Sequence, residues 1–240
     1  MNTKIIAAAV IGIIAGFAAG FLIANSLNRS ELAAAQAEAA ELRRSATPPG
    51  SRAQNMELSD QEIRAKIAEA DQNSDNFQYQ KTLGLALYTY AAMKQDARLL
   101  EEVAKLLERA HKLNPDDYDV LVSLGNISFD LGQIKKDESL NERARELYRN
   151  ALSKNEKDAN VRTSLGVSFL AAQNPDPKKA IEELSAAVEI DPKNDKALRY
   201  LAQAYADAGD KENAAKFLEE LKKVDPENPA IAEIEKKIAG

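Results

Sequence analysis

One register, written four times, constrains this chain more than any other feature. Leu83-Gly84, Leu124-Gly125 and Leu165-Gly166 stand 41 residues apart, and Leu201-Ala202 follows 36 residues after the third pair. Nine residues before each of these leucines lies Ser74, Pro115, Glu156 or Pro192. Twelve residues before Pro115, Glu156, Pro192 and Pro226 come Val103, Ala144, Ala180 and Ala214, and four residues after those come Leu107, Tyr148, Leu184 and Leu218. Spacing inside each half-unit is constant; only the segment joining the halves varies. Self-similarity at such a period marks units that cannot bury their own apolar face and therefore stack on one another. The residues are mostly Ala, Leu, Glu and Lys, good helix formers, so the expected fold class is all-α.

Each unit closes on a turn of one type: Asn-Pro-Asp-Asp at 114–117, Asn-Glu-Lys-Asp at 155–158, Asp-Pro-Lys-Asn at 191–194 and Asp-Pro-Glu-Asn at 225–228. Asp or Asn ahead of Pro stops a helix and starts a turn. This places repeats at about 77–116, 117–157, 158–193 and 194–227 within a repeat domain spanning 59–240. Ser59 with Glu62 three residues on predicts a capping box opening a helix, so a half-repeat precedes the first full unit. A closing helix is expected over 229–239, with Ile231, Ile234 and Ile238 on one stripe.

The pattern resembles the tetratricopeptide repeat, W-x2-L-G-x2-Y, then A-x3-F, then P, over 34 residues as two antiparallel helices, A and B. The tryptophan and tyrosine positions fall on Gln80 and Leu87, Leu121 and Ser128, Arg162 and Phe169, and Leu198 and Tyr205. Relative to that length the first three units carry 7, 7 and 2 extra residues, all between helix A and helix B, where added turns or a longer loop leave the stacking intact. The resemblance implies an α-α superhelix of about four repeats plus capping helices. The glycine position is expected to face the helix B alanine across a close crossing. Val103, larger than the alanine it replaces, then predicts a slightly splayed first hairpin.

The first residues are a different material. Ile5 to Ala24 run twenty residues without a charge. About twenty residues at 1.5 Å each cover the ~30 Å hydrocarbon core of a bilayer, so residues 1–28 are expected to be an uncleaved transmembrane anchor, with a cleaved signal peptide as the alternative. Gly12, Gly16 and Gly20 share one helical face, a pattern that lets two helices approach closely in lipid and makes a homo-oligomer through this helix an alternative expectation. Residues 29–58 read as a helical stalk, Ser30 to Arg44, followed by a Pro/Gly linker around Pro48-Pro49-Gly50.

Composition then removes most chemistry. The chain has no Cys and one His, His111, which excludes disulfides, thiol catalysis and Cys- or His-rich metal sites. No phosphate loop, metalloprotease motif or nucleophile elbow is present, so no catalytic residue, metal or cofactor is expected. Residues 59–240 hold 27 basic and 34 acidic side chains, five basic and four acidic residues lying before Ser59, which argues against nucleic acid as a partner. Absent thiols fit an oxidising compartment, so the repeats are expected on the periplasmic or extracytoplasmic side, with the cytoplasmic side as the alternative.

What remains is binding. The resemblance implies ligand contacts on the concave, helix A side of each unit: Lys81, Leu85, Tyr88 and Thr89; Val122, Asn126, Phe129 and Asp130; Thr163, Val167 and Leu170; Lys196, Arg199, Gln203 and Asp207. Such a groove suits an extended segment or an amphipathic helix of a protein partner. The carboxylate clamp of chaperone-binding members is not expected, because Lys81 and Asn126 fit its pattern while Leu85, Thr163 and Val167 do not. In architecture the chain is similar to single-span bacterial repeat proteins of cytochrome c maturation and to those that accompany the secretion channel. A membrane-anchored scaffold aiding assembly of a membrane or extracytoplasmic complex is the leading expectation. A structural subunit oligomerising through its anchor, or a cytochrome c maturation-type assembly factor, are the alternatives.

Overall fold

The computed structural model describes residues 59–94 and 96–239. The expected anchor, with Gly12, Gly16 and Gly20, and the stalk and linker lie outside the described residues. Among those described, the protein is all-α, with ten helices and no strand. Two compact units divide the chain at Leu113 and Asn114.

The first unit holds α1 (Asp60–Gln72), α2 (Phe77–Lys94) and α3 (Ala97–Leu113). The capping box forms: Glu62 N–H donates to Ser59 Oγ at 3.3 Å, and Ser59 N–H donates to the Glu62 carboxylate at 2.9 Å. Gln80, at the family's tryptophan position, is fully buried, and its Nε2 donates to the carbonyls of Ala70 (2.6 Å) and Asn73 (2.8 Å). It thereby adds a side-chain donor to two carbonyls at the end of α1 that also accept the backbone N–H groups of Asn73 and Asn76.

The second unit holds three hairpins, α4 (Tyr118–Lys135) with α5 (Glu138–Lys154), α6 (Ala159–Leu170) with α7 (Pro177–Ile190), and α8 (Asp195–Asp207) with α9 (Lys211–Val224). α5 packs on α6 and α7 on α8, so consecutive hairpins stack. The closing helix α10 (Ile231–Ala239) covers the last one, burying Ile234 against Leu198, Leu218 and Leu221 with Ile231 and Ile238 at the edge.

The additional residues resolve in two ways. In the first and second repeats they are helical: α2 and α4 each run 18 residues against 13 for α8, and α3 and α5 each run 17 against 14 for α9. Seven residues amount to about two turns of 3.6, one on each antiparallel arm, which lengthens the hairpin without rotating either helix against its neighbour. In the third repeat the two extra residues enlarge the loop between Leu170 and Pro177 instead.

Aspartates punctuate every hairpin. Asp96, Asp137, Asp176 and Asp210 accept from backbone N–H groups in the first turn of their helix B, at 3.0–3.1 Å. Asn76, Asp117, Asp158 and Asn194 do the same for helix A, at 2.9–3.1 Å. An Asp or Asn at this position meets the orphan donors of the first turn and opposes the positive end of the helix dipole. The last residue of each inter-repeat turn therefore starts the next unit.

The nearest atom at the glycine position belongs to a larger residue than the expected alanine, which contributes beside it at Gly166, where the Ala180 carbonyl would lie 3.3 Å from a Cβ. A Cβ on Gly84 would lie 2.5 Å from Leu107 Cδ2, on Gly125 2.7 Å from Tyr148 Cε1, and on Gly166 2.7 Å from Leu184 Cγ. The large residue one turn beyond the alanine thus fills the space that the missing side chain leaves. Val103 is fully buried and Gly84 lies as close to its neighbour as the others do, so the bulkier residue does not splay the first hairpin.

Candidate protein-binding surface

Helix A of each repeat carries the expected contact residues. In the first unit, Lys81, Leu85 and Tyr88 are half-buried on α2, with the Lys81 ammonium 6.0 Å from the centre of the Phe77 ring. In the second unit α4 contacts α6 and α6 contacts α8, so the three A helices lie side by side. Asn126 and Phe129 on α4, Leu170 at the end of α6, and Arg199 and Gln203 on α8 are half-buried there. Tyr148 Oη donates to Asn126 Oδ1 at 2.9 Å, which fixes that amide and leaves its Nδ2 as the group available to a ligand.

Three of the expected positions lie in the interior. Thr163 is 1%, Val122 5% and Val167 7% exposed, and the Thr163 hydroxyl donates back to the Ala159 carbonyl at 2.7 Å. In this unit they serve as packing between helices, and the exposed chemistry belongs to α4 and α8.

That chemistry is charged at one end. Lys196 is an exposed residue, yet loss of water around its ammonium is the main cause that holds its pKa below the usual lysine value. The nearby Arg199 cation lowers it further, while Asp130 of α4 and Asp195 oppose the shift. Arg199 lies with its guanidinium 4.2 Å from the centre of the Tyr200 ring, and its Nε is buried without a hydrogen-bond acceptor.

A polar network that the repeat pattern does not announce sits at the corner between α4 and α5. Arg145, 8% exposed, donates to Glu138 at 2.7 Å and to the Ser168 carbonyl at 3.1 Å, and lies 5.5 Å from the centre of Phe169. Glu138 also accepts from Gln173 N–H at 2.9 Å and from Asn141 at 3.1 Å. Burial by itself raises the Glu138 pKa, but these bonds and the Arg145 charge outweigh it and hold the carboxyl below the usual glutamate value. The network fastens the enlarged loop of the third repeat to the second. Its one sequence signal is an arginine on an otherwise apolar stripe beside Ala144 and Tyr148.

Among the described residues no group of three His, Cys, Asp or Glu side chains is placed to hold a metal ion, and no helix is long and apolar enough to cross a membrane. His111 is half-buried at the end of α3.

Two family models, both described as tetratricopeptide repeat, match residues 129–195 and 171–238. Residues 129–238 carry tetratricopeptide repeats. Solved structures of such proteins share the fold. One is a crystal structure of MamA, at 21% identity and a TM-score of 0.54 over 74% of this chain and 89% of that one. Another is YrrB, described as a tetratricopeptide protein with an unusual peptide-binding site, at 17% identity and a TM-score of 0.58 over 73% and 82%. A thermophilic tetratricopeptide protein of Thermus thermophilus matches at 13% identity and a TM-score of 0.54 over 74% and 97%. No curated protein is similar enough in sequence to match. The tetratricopeptide fold suggests a protein–protein interaction scaffold.

Proposed function

We propose that this tetratricopeptide protein is a membrane-anchored scaffold whose helix A surface holds a segment of another protein, extended or helical, during assembly of a membrane or extracytoplasmic complex. The observation that carries the binding reading is the row formed by α4, α6 and α8, with Phe129, Leu170 and Gln203 half-buried beside Asn126 and Arg199. Apolar anchors flanked by a few oriented polar groups are what a groove for a peptide segment requires. The peptide-binding site named for YrrB, a protein of the same fold, supports the same use here. Anchoring rests on the uncharged run from Ile5 to Ala24, and the extracytoplasmic side on the absence of Cys.

In-cell crosslinking of the full chain followed by mass spectrometry tests the reading. Crosslinks from α4 and α8 to a single protein are expected; crosslinks confined to the convex helices α5, α7 and α9 would overturn it. A Ser51→Cys variant, which gives the chain its one thiol, tests sidedness. Labelling by a membrane-impermeant maleimide in cells with a permeabilised outer layer and an intact inner membrane is expected, and labelling only after lysis would place the repeats inside.

A further inference from the structure

We propose that the charged end of the helix A surface, Lys196 and Arg199 on α8 opposite Asp130 on α4, receives an acidic side chain from the interior of the partner's bound segment. This rests on that surface being the binding site and names the chemistry it selects.

The charge balance is the starting point. Residues 59–240 carry an excess of acidic groups, 34 against 27 basic, yet two cations stand about one turn apart on α8, near enough for the Arg199 charge to act on the Lys196 ammonium. Desolvating two like charges together is unfavourable unless an anion is shared between them. Asp130 and Asp195 supply part of that compensation. The Arg199 Nε, buried and without an acceptor, is left unsatisfied. A guanidinium N–H removed from water without a partner is costly, and a carboxylate is the acceptor its geometry matches. Stacking on Tyr200 holds the guanidinium in place, so little side-chain freedom remains to be lost on binding.

The surroundings choose an internal acidic residue over a chain terminus. The middle helix α6 turns Thr163 and Val167 into the interior and so offers no polar arm to close around a terminal carboxylate. Half-buried Phe129, next to Asp130 on α4, and half-buried Leu170 on α6 supply apolar contacts for a segment that continues past the charged residues. Asp130, drawing on the same lysine, competes with the incoming carboxylate and tunes the affinity.

A displayed library of random twelve-residue segments, tethered at both ends so that no terminus is free, is selected on the full chain in detergent micelles. Sequences with Asp or Glu at a constant distance from an apolar residue are expected. Against the best of them, made as a peptide blocked at both ends, K196Q/R199Q is expected to bind about ten-fold more weakly and D130N several-fold more tightly. The D130N arm separates loss of the site from loss of folding, because a misfolded variant does not gain affinity. Enrichment of apolar segments without Asp or Glu, or unchanged affinity in K196Q/R199Q, overturns this inference alone. Selection that succeeds only with free C-termini overturns it in favour of a terminal carboxylate. No enriched segment at all overturns both this inference and the binding surface on which it rests.

Discussion

Gly125 lies so close to the ring of Tyr148 that a single methyl group on it would stand 2.7 Å from Cε1 and 2.8 Å from Cδ1. The ring edge occupies the volume a side chain would have taken, and Tyr148 is among the largest fully buried side chains of the protein. Its hydroxyl reaches past the crossing to Asn126, so one residue both closes the hairpin and orients a group on the helix A surface.

Replacing Gly125 by Ala is therefore expected to lower stability by about 1–3 kcal/mol, the usual range for overpacking a filled core, and to lower the melting temperature by about 2–4 °C for each kcal/mol. Circular dichroism melts check it. Tyr148→Leu in the same chain is not expected to rescue the variant, since Leu184 already approaches the equivalent position over Gly166 to 2.7 Å.

Glu138→Gln leaves the Arg145 cation with a neutral partner in a site where it is 8% exposed. A loss of about 2 kcal/mol is expected, below the full value for a buried pair because Glu138 keeps a quarter of its side-chain surface in water. Arg145→Met, which removes the charge and keeps the packing, is expected to cost less. Urea titrations of the three chains decide the order.

The same carboxylate makes stability depend on acid. Its folded pKa lies below the ordinary glutamate value of 4.5, so its contribution is complete above pH 4.5 and lost as the pH falls through the lower folded value. The caps Asp137, Asp176 and Asp210 are lowered from 3.8 through hydrogen bonds to Ser139, Lys179 and Asn213 respectively, and act in the same direction. Wild-type stability is expected to be level with respect to these groups from about pH 6 to 5 and to decline below, with a shallower decline in Glu138→Gln. An equal acid slope in both chains would contradict the assignment.

Gln80→Leu removes the two hydrogen bonds that its amide donates to the Ala70 and Asn73 carbonyls, which keep only the backbone N–H groups of Asn73 and Asn76 as donors. A local cost of about 1–2 kcal/mol is expected. Hydrogen exchange should speed up in α1 while the amides of α8 and α9 keep their protection; uniform loss of protection would show a wider role for Gln80.

Phe129→Ala combined with Arg199→Gln is expected to abolish crosslinking to the partner while the melting temperature changes by less than about 5 °C, since both side chains are half-buried. Retained crosslinking would move the binding surface elsewhere.

What could be read from the letters was local or periodic. The hairpins, their number, the capping box at Ser59 and the closing stripe of isoleucines depend on neighbours within one or two turns, and an i, i+3, i+4 pattern records those directly. The caps that open helix B of every hairpin, Asp96, Asp137, Asp176 and Asp210, and the Asp or Asn that opens each helix A belong to the same class, visible once the helix starts are known.

Tertiary structure decided what depends on how one helix is rolled against the next. A small shift in roll turns Val122, Thr163 and Val167 into the interior while Asn126 and Gln203 stay at the surface, and a repeat register carries no term for that angle. The nearest partner of each glycine was settled the same way, a Leu or Tyr one turn beyond the alanine, with the Ala180 carbonyl beside it at Gly166. Periodicity also could not say whether seven added residues become two turns of helix or a loop, because that outcome is determined by packing along the arms. The link from Arg145 to Ser168, 23 residues away, exists only once the second hairpin lies on the third. The sequence by itself determined a repeated hairpin and its ends; stacking chose which side chains were left to face another protein.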